Sequence, residues 1–417
     1  MKTTRRRFVR TAAAGVLSAV LGPRLARGQA PAAATGSEFD VAVVGAGVFG
    51  SWTAYHLQRA GRRVALIDAY GAGNARGSSG GQSRVIRMGY GDQEIYTRWS
   101  MRSLEQWKTL LRRSAQAGQF QRSGVLWMAR EQDPLTTKTL ETLGRLGVSH
   151  ERLDRSQLEQ RWPQVDFGPI TWAIHEPESG FLAAFHVVQT VANLAVAGGA
   201  VYMQESVLPP AGTGGLTAVV TRSGKTVSAK TFVFACGPWL PKLFPNLLGE
   251  RIFPTRQEVF YFGVPAGDDR FHSAALPVWV DFAEQIYGIP DFKGRGFKAA
   301  LDQHGPAVDP DSLERVPTAE TMARVREFVS RRFPALRDAP IVASEVCQYE
   351  NTSNGDFLID RHPELPNVWL VGGGSGHGFK HGPALGEYVA ARIGDGKPVE
   401  TKFSLATKQK VQKRTVF

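Results

Sequence analysis

Gly45, Gly47 and Gly50 stand in the spacing G-x-G-x-x-G directly after an apolar, β-branched run, Phe39 to Val44, and Asp68 follows 23 residues after Gly45 at the end of a second apolar run, Arg63 to Ile67. The chemistry open to this pattern is the holding of a pyrophosphate. A glycine at 45 allows a sharp turn, one at 47 lets bare backbone approach phosphate, and one at 50 lets the next helix pack closely on its strand. That helix, read from Ser51 to Ala60, offers N–H groups and a partial positive charge at its start. Asp68 is suited to take the ribose hydroxyls of an adenosine. An ADP-containing cofactor is expected, and the fingerprint alone does not choose between nicotinamide and flavin dinucleotides.

Other residues could do chemistry at the same sheet edge. A strand read at Thr231 to Ala235 ends in Cys236-Gly237-Pro238, and another at Asn367 to Val371 ends in Gly372-Gly373-Gly374-Ser375-Gly376-His377-Gly378. Both run into glycine where open α/β sheets bind ligands, and the second reads as the start of a helix. Cys236 and Cys347 are too few for a disulfide framework or a zinc site, although the two could pair with each other. Gly77-Ser78-Ser79-Gly80-Gly81 fits the G-x-S-x-G of serine hydrolases, but it does not sit directly between a strand and a helix, as that nucleophile requires.

The elements that must position these residues follow from periodicity. Helical stripes recur in Met101, Leu104, Trp107 and Leu111; in Val187, Val191 and Leu194; in Met322, Val325 and Val329; and in Leu385, Val389 and Ile393. Segments 120–180 and 252–349 are richer in alternation, as in Gln257-Glu258-Val259-Phe260-Tyr261-Phe262, and predict a second, antiparallel layer. The expected class is α/β, with a Rossmann-like dinucleotide domain interleaved with an α+β domain that carries an antiparallel sheet.

The 417 residues, 42% apolar and 21% charged, suffice for a large core. No run of about 18 apolar residues exists, which excludes a spanning helix from the sequence. The net charge of +12 invites a nucleic-acid reading, but seven of the basic residues lie in 1–30, where there is no acid. Without that segment 43 basic residues face 38 acidic ones, and part of the remaining surplus (Lys402, Lys408, Lys410, Lys413, Arg414) reads as a solvated tail. Within the first segment, Arg5-Arg6-Arg7-Phe8 precedes an apolar stretch, Thr11 to Gly22, too short to cross a bilayer, and small residues at Gly28 and Ala30 suit a peptidase. Residues 1–30 therefore read as a twin-arginine export signal and 31–37 as a linker, which implies a folded, cofactor-loaded cargo delivered to the periplasm or beyond by the bacterial twin-arginine machinery.

Gly77 to Arg87, the strand ending at Cys236, Glu345-Val346-Cys347-Gln348-Tyr349 and Gly374-Ser375-Gly376-His377-Gly378-Phe379-Lys380 together resemble the monomeric sarcosine oxidase group, which includes N-methyltryptophan and pipecolate oxidases within the D-amino-acid-oxidase-like flavoproteins. The likeness runs from about Glu38 to about Leu405. It implies FAD as the cofactor, a glutathione-reductase-type FAD domain (38–119, 181–251 and 350–417) and a substrate domain (120–180 and 252–349). It further implies a covalent 8α-S-cysteinyl link at Cys347, with Ser83, Arg84, Cys236, Gly237, Gly374, Gly376, His377, Gly378 and Lys380 near the cofactor and no metal. Arg87 and Lys380 match the pair that grips a substrate carboxylate, Tyr287 a pocket tyrosine, Arg84 an arginine at the flavin face, and Lys298 the lysine that activates oxygen.

Two positions depart from the group. Gly80 stands where bacterial sarcosine oxidases carry a histidine, and Asp302 replaces another histidine four residues after Lys298. Gly80 is expected to add room to the pocket and Asp302 negative charge, so an amine larger than sarcosine or differently charged is expected. The implied reaction is oxidation of the C–N bond of an N-substituted, cyclic or other amino acid to an imine, with oxygen reduced to hydrogen peroxide by a monomeric enzyme. A dehydrogenase that passes electrons to a quinone or carrier, and a non-catalytic flavoprotein, are the alternatives.

Overall fold

The structure is a computed structural model and describes residues 38–412. The export-signal and linker readings, and the lysine and arginine at 413 and 414, fall outside the described residues.

Five parallel strands form the centre of a seven-stranded sheet, in the order Val368–Gly372, Thr226–Phe234, Phe39–Val44, Val64–Asp68, Val201–Gln204, and Leu358–Arg361 runs antiparallel along the outer side of the first. Phe39–Val44 is buried on both faces along most of its length, which is why its sequence is a continuous apolar run and not an alternation. On one face lie the helices Val48–Arg59, Glu94–Arg113, Ala184–Ala197 and Gly382–Asp395, whose Trp52, Trp107, Val187 and Leu385 share one apolar core. The four helical stripes expected from periodicity all fall on helices, the remaining one being Ala319–Arg332.

The second sheet has eight strands, in the order Ile341–Thr352, Ile252–Phe262, Phe297–Leu301, Ile286–Ile289, Val278–Asp281, Val125–Ala129, Trp172–Glu176, Glu151–Asp154. All neighbours are antiparallel except Val278–Asp281 and Val125–Ala129, which join the two expected segments in parallel. Ile341–Thr352 pairs with Ile252–Phe262 through Thr352, so this sheet runs a few residues past 349. Gln257 to Phe262 is buried on both faces. Phe260 and Phe262 pack toward Val325 and Phe328 of the helix Ala319–Arg332, while Val259 and Tyr261 face the other way with Ala300. That second face is the one that carries chemistry.

Two expectations about local structure differ from what is observed. The glycine run after Val368–Gly372 is a turn. Gly373, Ser375 and Gly376 have φ of 69°, 45° and 80°, a left-handed conformation incompatible with an α-helix, so the helix begins only at Gly382. The basic tail is solvated only in part: Lys410 is exposed, but Lys408 is 0% exposed, with its ammonium on the Lys402 carbonyl at 2.8 Å and Thr407 Oγ1 at 3.1 Å, because these acceptors replace water.

Candidate active site

The carboxyl edge of the parallel sheet borders a cavity of about 650 Å³, lined among others by Gly45, Gly47, Asp68, Ser79, Cys236, Gly237, Glu350, Gly374, Gly376 and Gly378. The fingerprint glycines do what their spacing suggested. Gly45 has φ of 102°, and a Cβ there would lie 2.3 Å from the Ala235 carbonyl oxygen; a Cβ on Gly50 would lie 1.8 Å from the Gly45 carbonyl oxygen. Gly47 is the N-cap of Val48–Arg59 and supplies no side-chain cap, so the helix start opens on the cavity. The Val48 N–H is met by Ser79 Oγ at 2.9 Å, a contact the sequence reading missed although Ser79 lay in a quoted motif. Asp68 accepts from the N–H groups of Ala46 (2.7 Å), Tyr70 (2.8 Å) and Gly71 (2.9 Å). Burial pushes its carboxyl upward against those bonds.

A smaller cavity of about 80 Å³ adjoins the first, and Arg84, Tyr349, Ser375, Gly376 and Phe379 border both. Its roof is the second sheet, joined by Arg84 and Arg87 from the strand Arg84–Ile86 and the residue after it and by Lys380 from the turn Phe379–His381. The pairings Cys347 with Gln257, Glu345 with Val259, Tyr261 with Lys298 and Tyr287 with Ala300 set these residues on one face of four adjacent strands. Cys347, Lys298 and Tyr287, 60 residues apart at the extremes in sequence order, thereby line one space.

Cations dominate that space. Lys298 is 1% exposed, and its ammonium donates to the Ser83 carbonyl at 3.0 Å; the same carbonyl accepts Arg84 Nη1 at 2.8 Å. Burial, and then the neighbouring Arg84 charge, lower the Lys298 pKa to about 7. Arg84 Nη2 also donates to Cys347 Sγ at 3.4 Å, the contact a reactive sulfur takes from a guanidinium. Arg87 and Lys380 flank one ring: Tyr90 has the Arg87 guanidinium carbon at 4.5 Å and the Lys380 nitrogen at 5.2 Å from its centroid. Both side chains are buried, Lys380 donating to the His377 carbonyl at 2.8 Å and Arg87 to the Gly89 carbonyl. Burial and then Arg87 hold the Lys380 pKa well below its ordinary value. The Arg87 turn is fixed from below by Glu176, whose carboxylate accepts the Met88 and Gly89 N–H groups at 2.8 and 2.9 Å and Trp127 Nε1 at 2.7 Å. Glu176 and Tyr90 carried no sequence signal, because only the chain crossing brings them under Arg87.

The remaining sequence-named residues divide. Tyr287 and His377 line the smaller cavity, and burial raises the Tyr287 pKa. The His377 ring is engaged by Tyr90 Oη and the Gly355 carbonyl. Ser83 acts through its carbonyl alone. Asp302 lines the smaller cavity as expected and accepts Tyr349 Oη at 3.4 Å. Gly80 borders neither cavity: a Cβ there would sit 2.4 Å from the Asn74 carbonyl oxygen, so its bareness serves loop packing and does not enlarge the pocket. Cys236 donates to the Val44 carbonyl at 3.3 Å and remains, like Cys347, a free thiol, so the two are not paired. Burial raises the Cys236 pKa well above its ordinary value. Among the described residues no group of acids, histidines and cysteines could hold a metal, and no helix is long and apolar enough to cross a membrane.

Comparisons with known proteins point the same way. The chain is 31% identical over 368 residues to the monomeric sarcosine oxidase of Bacillus sp. (strain NS-129), covering 87% of this chain and 94% of that protein. It is 31% identical over 359 residues to the peroxisomal sarcosine oxidase of Mus musculus (84% and 91% covered) and 30% over 382 residues to the N-methyl-L-tryptophan oxidase of Yersinia pestis (88% and 99%). In fold it is similar to an L-proline dehydrogenase from P. horikoshii, with a TM-score of 0.75 at 22% identity over 88% of this chain and 97% of that one. It is also similar to NikD, an amino acid oxidase of nikkomycin biosynthesis, at 0.71 and 21% over 88% and 98%. Residues 40–392 match the family model described as FAD dependent oxidoreductase. With that match over residues 40–392 and relatives at about 30% identity along most of its length, the chain belongs to the DAO family of FAD-dependent oxidoreductases.

Proposed function

We propose that this protein oxidises the C–N bond of an N-substituted or cyclic amino acid to an imine, reduces oxygen to hydrogen peroxide, and holds its FAD through Cys347. The observation that carries the reading is the convergence of Arg87 and Lys380 on the Tyr90 ring, both lining a cavity that also receives Lys298 and Cys347. A buried guanidinium and a buried amine sharing one small cavity suit an anion, and a carboxylate is the anion that all the named relatives' amino-acid substrates carry.

Bound FAD supplies the two-electron acceptor. The chain supplies the rest. Arg87 offers a planar fork to the carboxylate and Lys380 a point charge. Because burial holds Lys380 toward its neutral form, the arriving carboxylate draws a proton onto that nitrogen. The same cations, with Arg84 and Lys298, disfavour an ammonium on the substrate, so the amine binds with its lone pair exposed and no separate strong base is required. Loss of two electrons and two protons from the amine is balanced by oxygen becoming hydrogen peroxide, and water then hydrolyses the imine. Lys298, when protonated, is a fixed cation beside the site where oxygen gains negative charge.

Cys347 would hold the cofactor through its sulfur at the 8α carbon, giving up its thiol proton against the loss of one 8α hydrogen, with oxygen as acceptor of the two electrons released. The Arg84 contact to the sulfur at 3.4 Å supports Cys347 as the attachment point. Asp302, which lines the smaller cavity, supports a substrate charged differently from sarcosine. The paired arginines Arg5 and Arg6 before Phe8 support export of the folded, loaded protein to the periplasm or beyond. Peroxide formed in one-to-one ratio with oxygen consumed, with an N-methyl or cyclic amino acid under air, is the expected result. Rapid dye reduction with no peroxide would instead make the protein a dehydrogenase.

A further inference from the structure

Glu350 is 7% exposed, yet it lines the larger cavity, and its Oε2 has no hydrogen-bond partner. Its other oxygen accepts the Gly374 N–H at 3.3 Å. Burial raises its carboxyl pKa to about 7 against the N–H groups of Gly373 and Gly374. An acceptor left bare in the interior is costly, and one that faces a cavity is available to a ligand's donor.

Its place along the sheet edge says which part of a ligand that is. Asp68 ends the strand Val64–Asp68, next to Phe39–Val44, after which come the fingerprint glycines; beyond lie Thr226–Phe234 and then Val368–Gly372. Glu350 belongs to the far end of that series. A Cβ on Gly372 would lie 3.1 Å from its Oε2, and one on Gly237 would lie 3.9 Å away. The series runs from adenosine ribose through pyrophosphate toward the roof that carries Cys347, and the portion of FAD between pyrophosphate and ring is the ribityl chain, whose hydroxyls are donors. The Gly374 bond points one oxygen away, leaving Oε2 for the cavity. We propose that Glu350 is a cofactor-positioning residue whose Oε2 accepts a hydrogen bond from a ribityl hydroxyl of FAD. This inference rests on the FAD reading and adds a specific contact to it.

The experiment is a protein–ligand mutant cycle in a Cys347→Ser background, where exchange is reversible. FAD-loaded protein is equilibrated with FAD analogues lacking the 2′, 3′ or 4′ ribityl hydroxyl, and the exchanged fraction gives relative affinity. With Glu350 present, one analogue binds at least 10-fold more weakly than FAD. In Glu350→Ala the penalty for that same analogue falls to within 2-fold of unity, while penalties for the other two stay as they were. Glu350→Gln, which keeps the volume and secures a folded variant, reduces the penalty at least 3-fold. If every penalty survives both substitutions, or if no analogue is penalised, the inference is overturned while the cofactor reading stands. Protein that carries no FAD at all would overturn the cofactor reading itself.

Discussion

The floor of the site and its roof are built by opposite means. The floor is built on backbone: Gly45, Gly47 and Gly50 leave the start of a helix bare of side chains, and Asp68 is locked by three N–H groups. The roof is side chains: Lys298, Arg84, Arg87 and Lys380 are held in a cavity by carbonyls and by the Tyr90 ring. A floor made of close-packed backbone is rigid, whereas the roof gathers desolvated side chains whose titration is shifted, the mark of a candidate functional site. The difference teaches where substitutions will act. Changes in the floor should cost folding and cofactor retention, and changes in the roof should cost turnover.

The largest effect is expected at the joint between the two. Cys347→Ser should abolish covalent attachment altogether, so that acid precipitation leaves the yellow colour in solution; colour that stays with the pellet would place the link elsewhere. Next comes oxygen. Lys298→Met should slow oxygen consumption by about 10²–10³-fold, while anaerobic reduction by substrate changes little. Since the Lys298 pKa is lowered to about 7, the wild-type oxygen step should slow as pH rises through that value, and the variant should show no such dependence. The sign for stability is the reverse. The unfolded lysine keeps its proton up to its ordinary value of 10.5, the folded one only to about 7, so folding stability gains as pH rises between the two.

Arg87→Ala should weaken carboxylate binding by about 2 kcal/mol, roughly 30-fold in KM, and an unchanged KM would remove Arg87 from the roof. In the floor, Gly50→Ala should lower stability by about 1–3 kcal/mol through its clash with the Gly45 carbonyl, read as a fall in Tm with loss of bound flavin. A normal Tm would mean that the cradle is looser than its distances indicate.

The same contrast explains how much was legible in the sequence. Phe39–Val44 and its glycine turn were readable because a strand buried on both faces and a backbone that needs no Cβ leave local signatures. The roof residues were nameable only by resemblance. Nothing near Lys298 in sequence says that it pairs with Tyr261 or shares a face with Cys347, since register is set by the whole antiparallel layer. Local pattern suggests a helix start at Gly374 to Gly378, but the left-handed Ser375 prevents it. The resemblance suggests added room at Gly80, but the Asn74 carbonyl fills that space. Glu350 carries no signal in the sequence; its burial and bare oxygen are visible only in the fold.

The central claim is that this roof delivers a carboxylate-bearing amine to the flavin. Anaerobic titration of the purified yellow protein with N-methyl and cyclic amino acids tests it most directly. Bleaching of the flavin band near 450 nm by at least one of them, and recovery of the band on admitting air, is the predicted result. A flavin that stays oxidised under every amine offered would contradict it.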